Sequence, residues 1–124
     1  MKNQINTANA PGAIGPYSQA IDTGSMVFAS GQLPIDPATG AMPADITMQT
    51  RQSLTNVKAI LESAGLSMDN VVKTTVYLSD MADFTAMNAV YETFFQSPFP
   101  ARSAIAVKTL PKNALVEIEV IATR

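Results

Sequence analysis

The segment Val116-Glu117-Ile118-Glu119-Val120 near the end of the chain constrains the fold most, because strict alternation over a strand sends successive side chains to opposite faces of a sheet. Val116, Ile118, Val120 and Ala122 share one face, which reads as core. Leu115, Glu117, Glu119, Ile121 and Thr123 share the other, a mixture of apolar groups and carboxylates that neither a solvated nor a fully buried face would ordinarily carry. The chain of 124 residues holds 47% apolar and only 15% charged residues, so it expects a real core and a surface short of charge. A second subunit packed on the half-apolar face would meet both conditions.

The remaining elements follow from periodicity. Residues 16 to 33 read as two strands joined at Asp22-Thr23-Gly24-Ser25. Asp45 is placed to cap a helix and Gly65 to end it, with Leu54, Val57, Leu61 and Ala64 as the buried stripe. Val71 to Leu78 alternates as a strand, with Val72, Thr74, Val76 and Leu78 on one face. A second helix starts at Ser79-Asp80, carries Phe84, Met87, Tyr91 and Phe94, and is stopped by Pro98 and Pro100. The last two strands, about 101 to 110 and 114 to 123, flank Pro111-Lys112-Asn113 as an antiparallel hairpin, which would set Arg102 and Glu117 on adjacent strands. Two helices can cover only one side of the resulting sheet, in a single domain spanning 1–124.

The chain contains no His and no Cys. The usual nucleophile–base pairs, nearly all zinc sites and any disulfide framework are thereby excluded, leaving Arg, Glu, hydroxyls, backbone groups and water to do chemistry. The net charge of −2 and the lack of a basic stripe argue against nucleic acid as a partner. No apolar run is long enough for a membrane span and the N-terminus lacks a secretory pattern, so the expected location is the cytoplasm.

Arg102 stands at a proline-marked strand entry, where its planar fork is suited either to a ligand carboxylate or to a structural ion pair. Glu117, between Val116 and Ile118, reads either as a partly buried carboxylate able to take a proton from water or as part of a solvated strand face. Gly12 to Gln19 is glycine-punctuated but lacks the strand, helix and lysine of a phosphate loop, so nucleotide binding is rejected. Within it Tyr17 either caps a core or presents its hydroxyl to a ligand. Ser30 has no histidine base and reads as a binding hydroxyl, Gly31 permits close approach of another group, and Asn88 lies on the second helix either at the surface or within reach of a site. The seven Met residues read as core and interface filler.

Taken together, Gly15-Pro16-Tyr17-Ser18-Gln19, Ser30-Gly31-Gln32-Leu33-Pro34, Asn56-Val57-Lys58-Ala59, Pro100-Ala101-Arg102-Ser103 and Val116-Glu117-Ile118-Glu119 resemble the Rid (YjgF-type) family of reactive intermediate deaminases. The resemblance runs in order through essentially the whole chain. It implies a chorismate-mutase-like α+β fold, a mixed sheet backed by two helices, assembled as a homotrimer with sites in the clefts between subunits. It also implies cofactor-free, metal-free hydrolysis of small 2-imino acids, typically 2-iminopropanoate and 2-iminobutanoate, to 2-oxo acids and ammonia. By position, Arg102 would bind the substrate carboxylate and Glu117 would orient the water, with Tyr17, Ser30, Gly31, Asn88 and Ala104 lining the pocket. Ala104 stands where many relatives have Cys, and the link Gln96-Ser97-Pro98 looks about three residues shorter than theirs, so substrate preference follows less directly than reaction class. An endoribonuclease or translation inhibitor, and a non-catalytic binding or chaperone-like trimer, are the competing functions. Missing His and basic surface weigh against the first; the presence of both Arg102 and Glu117 weighs against the second.

Overall fold

The computed structural model describes all 124 residues. Six strands, β1 (Asn3–Ile5), β2 (Ala20–Asp22), β3 (Met26–Gln32), β4 (Val71–Leu78), β5 (Ala101–Ala106) and β6 (Val116–Thr123), form one sheet in the order β1-β2-β3-β6-β4-β5. Every pairing is antiparallel except that of β4 with β5. Two helices, α1 (Ile46–Ser63) and α2 (Phe84–Tyr91), complete the α+β layer. None of the helices is long and apolar enough to cross a membrane.

The alternation in β6 divides the sheet as its side chains require. Val116, Ile118, Val120 and Ala122 are buried and join Leu54, Val57, Ile60 and Leu61 of α1 and Met87 and Tyr91 of α2 in one core. Asp45 caps α1 by accepting the Met48 N–H at 2.8 Å, and Gly65 leaves the helix at φ +78°, a left-handed conformation that glycine adopts without a Cβ clash. The opposite face, with Phe28, Tyr77, Ile105, Glu117, Glu119 and Ile121, has no layer of its own chain over it. Phe28 is 43% and Ile105 49% exposed, which is costly for side chains of that size in an isolated subunit.

Several expectations are corrected. The last two strands do not form a hairpin. A strand, α2 and a second strand make a crossover, so β5 runs parallel beside β4, while the segment after β5 carries the chain back to insert β6 between β3 and β4. Pro111–Asn113 is a 3₁₀ turn with Lys112 and Asn113 at φ 57° and 55°, and Leu110 and Ala114 beside it are buried, which anchors the return instead of folding it back on β5. Residues 16 to 19 precede the first strand of the expected hairpin, and the short β1 carries no period long enough to read. In β4 the register shifts between Val71 and Lys73, so Val71 is buried and Val72 is turned outward. The second helix is preceded by a 3₁₀ turn, Met81–Asp83, capped by Asp80, and ends at Tyr91 well before Pro98. There the Thr93 and Phe94 N–H groups fall back on the carbonyls three residues earlier, and Phe95 enters the core where Phe94 was expected.

Candidate active site

Arg102 is paired in register with Thr74, whose hydroxyl is buried against the Tyr91 hydroxyl at 2.8 Å, so Arg102 emerges on the helix-covered face. Glu117 is paired with Tyr77 and emerges on the open face. With β4 between their strands, the two residues do not meet within one chain. Each instead anchors its own cleft.

The Arg102 cleft, about 650 Å³, lies where α2 meets the start of β5 and is lined by Thr85, Asn88, Glu92, Phe99 and Pro100 among others. The guanidinium carbon stands 4.8 Å from the centre of the Tyr91 ring and 5.4 Å from that of Phe84, and Nη1 donates to Asn88 Oδ1 at 2.6 Å. Aromatic faces hold a cation without neutralising it, and an amide oxygen fixes its plane. The chain's single ion pair joins Arg124 to Asp22, so no carboxylate of its own chain engages Arg102. Burial raises the Tyr91 phenol above its ordinary pKa, while the Thr74 hydrogen bond and the Arg102 charge oppose that rise. The ring beneath the cation therefore stays a neutral phenol.

The Glu117 cleft, about 690 Å³, is bounded by Tyr17, Gly31, Gln32, Asp36, Lys112 and neighbouring loop residues. Glu117 lies directly against Gly31: a Cβ built on that glycine would sit 2.9 Å from Glu117 Cδ and closer still to Oε2. The absent side chain at position 31 is thus the space the carboxylate occupies. Burial, and secondarily the Glu119 charge, raises the Glu117 pKa above the ordinary carboxylate value. Burial also raises the Tyr77 phenol, with the Glu119 and Glu117 charges adding to it.

Of the residues singled out in the sequence, the fold joins Asn88 to Arg102, and Tyr17 and Gly31 to Glu117. Ser30 donates its hydroxyl to Ser18 O at 2.6 Å, and Ala104 packs half-buried against the core on the Arg102 side of β5. Sequence reasoning took Phe84 and Tyr91 only as core and passed over Thr85, Glu92, Phe99, Asp36 and Lys112. Tyr91 carried one usable signal, a hydroxyl on an otherwise apolar stripe.

Residues 7–124 match the family model described as endoribonuclease L-PSP. The chain is 55% identical, over its whole length and 99% of the relative, to a 2-iminobutanoate/2-iminopropanoate deaminase of Salmonella typhimurium, and 54% identical, with the same coverage, to the protein of that name from Escherichia coli K12. Among solved structures it superposes on E. coli TdcF with bound serine at a TM-score of 0.97 and 52% identity, covering 99% of both chains. It superposes on the E. coli YjgF gene product at 0.95 and 54%, covering 98% of both. Likeness of this extent, over the full length of the chain and in the same fold, leaves one assignment: the chain belongs to the endoribonuclease L-PSP family, the Rid or YjgF-type family of reactive intermediate deaminases.

Proposed function

We propose that this protein hydrolyses small 2-imino acids, such as 2-iminobutanoate and 2-iminopropanoate, to 2-oxo acids and ammonia in a site shared by two copies of the chain. The observation that carries the reading is the Arg102 fork, oriented by Asn88, open to a cleft and ion-paired with no acid of its own chain. A 2-imino acid presents the carboxylate that such a fork accepts in two parallel hydrogen bonds. The names of the deaminase relatives, and the serine bound in TdcF, itself a small 2-amino acid with a carboxylate, support the same substrate class.

Glu117 supplies the second half. As a carboxylate it accepts a proton from water while the water oxygen bonds to the imine carbon and the imine nitrogen is protonated. The resulting aminol loses ammonia as its hydroxyl proton leaves and the carbonyl forms. Orientation and electrostatics supply the acceleration. Because Arg102 and Glu117 leave opposite faces of one sheet, both reach a single substrate only if the Arg102 cleft of one copy meets the Glu117 cleft of another. The unpartnered face carrying Phe28 and Ile105 is the surface on which the copies, three in a closed ring, would pack.

The test is a coupled assay in which threonine dehydratase generates the imine and semicarbazide traps it. Added protein lowers adduct formation and releases ammonia if the reading is right. Unchanged trapping, with cleavage of RNA by nuclease-free protein, would favour the activity named in the family description instead.

A further inference from the structure

We infer that two buried amides, Gln19 in the lining of the Glu117 cleft and Asn56 behind it on α1, are positioning residues that hold the two walls of that cleft; this rests on the reading of Glu117 as the group that orients the water. One wall is the loop between β1 and β2, contributing Pro11, Ile14 and Tyr17, and the other is the loop between β3 and α1, contributing Leu33, Ile35 and Asp36. Neither loop is held by backbone pairing. From residue 6 to 19 the only backbone–backbone bonds are Tyr17 N–H to Gly15 O and Ser30 N–H to Gln19 O, and from 33 to 44 all such bonds stay within the loop.

Side-chain amides hold them instead. Gln19, 1% exposed, accepts the Thr7 N–H at 2.7 Å and turns its NH₂ to the carbonyls of Thr7, Ala10 and Pro11 at 3.0, 3.3 and 2.8 Å. Asn56, fully buried on α1, donates to Leu33 O at 3.1 Å and Ile35 O at 2.9 Å while its own oxygen accepts from Gln52 at 2.9 Å. Ser53, one turn earlier on α1, donates to Gln32 O at 2.8 Å. A primary amide carries two N–H donors and an acceptor, so one side chain can gather several loop carbonyls that would otherwise be buried unpaired. Two walls held in this way keep water from the Glu117 carboxylate and fix the space in which its one productive water sits.

The charged or titratable groups facing Glu117 are Glu119 on its own strand, Tyr77 on β4, Tyr17 on the first loop, and Asp36 and Lys112 at the cleft. None of them is altered by changing Gln19 or Asn56. Gln19→Met and Asn56→Leu keep roughly the side-chain size, delete the NH₂ donors and add no charge; Ser53→Ala is the milder variant if either fails to fold. Two readouts are taken on assembled protein: the ¹³C carboxyl titration of Glu117, identified by its loss in Glu117→Gln, and kcat and kcat/KM for the imine against pH. The expected result is a Glu117 titration and an acid limb both moved to lower pH, as water enters the cleft, with kcat about 10-fold lower or more and KM changed less. Folded variants whose Glu117 titration stays at the wild-type midpoint would overturn the inference, whatever their activity. Full activity in Glu117→Gln would overturn the functional reading alone, because the titration would still report whether these amides control the carboxylate.

Discussion

Glu117 combines two requirements that oppose each other. In the proposed reaction its carboxylate must ionise to take a proton, yet burial and Glu119 hold the acid form to a higher pH than usual. The linkage sign follows: below the ordinary carboxylate value both folded and unfolded states are protonated, and as pH rises through the raised folded value, stability is lost because the unfolded chain ionises more easily. Glu117→Gln should therefore melt at a higher temperature than wild type near neutral pH, with the difference closing toward acid, while turnover falls by about 100-fold, the scale of positioned general-base catalysis. Thermal melts across pH beside the imine assay check both halves. Arg102 carries the complementary expectation. Arg102→Lys keeps the charge over Tyr91 but loses the fork that Asn88 orients, and kcat/KM should drop on the order of 100-fold, about 2.7 kcal/mol of transition-state stabilisation. Near wild-type kinetics in that variant would remove the carboxylate from Arg102.

At the scale of elements, the end of β3 matters most, since its pairing with β6 is irregular between Ala29 and Gln32 and brings Gly31 beneath Glu117. Gly31 has no positive φ to protect, so its role is space, not backbone freedom. The group a new methyl would meet is the far end of a flexible side chain, which can swing aside. Gly31→Ala should accordingly fold and assemble with little change in melting temperature but lose roughly 100-fold in kcat, because the displaced carboxylate no longer aims its water. A large loss of stability with unchanged kcat in the folded fraction would show that the glycine serves packing alone. Helix α1 was legible from its cap, its stripe and Gly65, whereas the polar residues on its inner side, Ser53 and Asn56, had no periodic signal to announce them. Their partners are carbonyls at the end of β3 and in the loop after it, more than twenty residues away.

For the whole molecule, the open sheet face and the divided site lead to one expectation. Replacing Phe28 and Ile105 together by Lys places charge where apolar contact between copies is needed, and sedimentation should then show a chain of 13.1 kDa in place of about three associated chains. Imine turnover should be lost with the assembly, although neither residue lines the Arg102 or the Glu117 cleft. A folded, active monomer would mean that one chain completes the site alone.

The sequence by itself determined what depends on near neighbours. Alternation in β6 decided which of its side chains enter the core, Asp45 and Gly65 bounded α1, and the missing His and Cys left Arg, Glu, hydroxyls, backbone groups and water as the groups available for chemistry. Only the tertiary structure decided that β6 lies between β3 and β4, that β5 runs parallel beside β4, and that Arg102 and Glu117 therefore leave opposite faces. The physical reason is that side-chain parity is set residue by residue along a strand, while strand order is set by pairing between distant segments. The entropy of closing the intervening loops changes only slowly with their length, so nothing local distinguishes a hairpin after Pro111 from a return across the sheet.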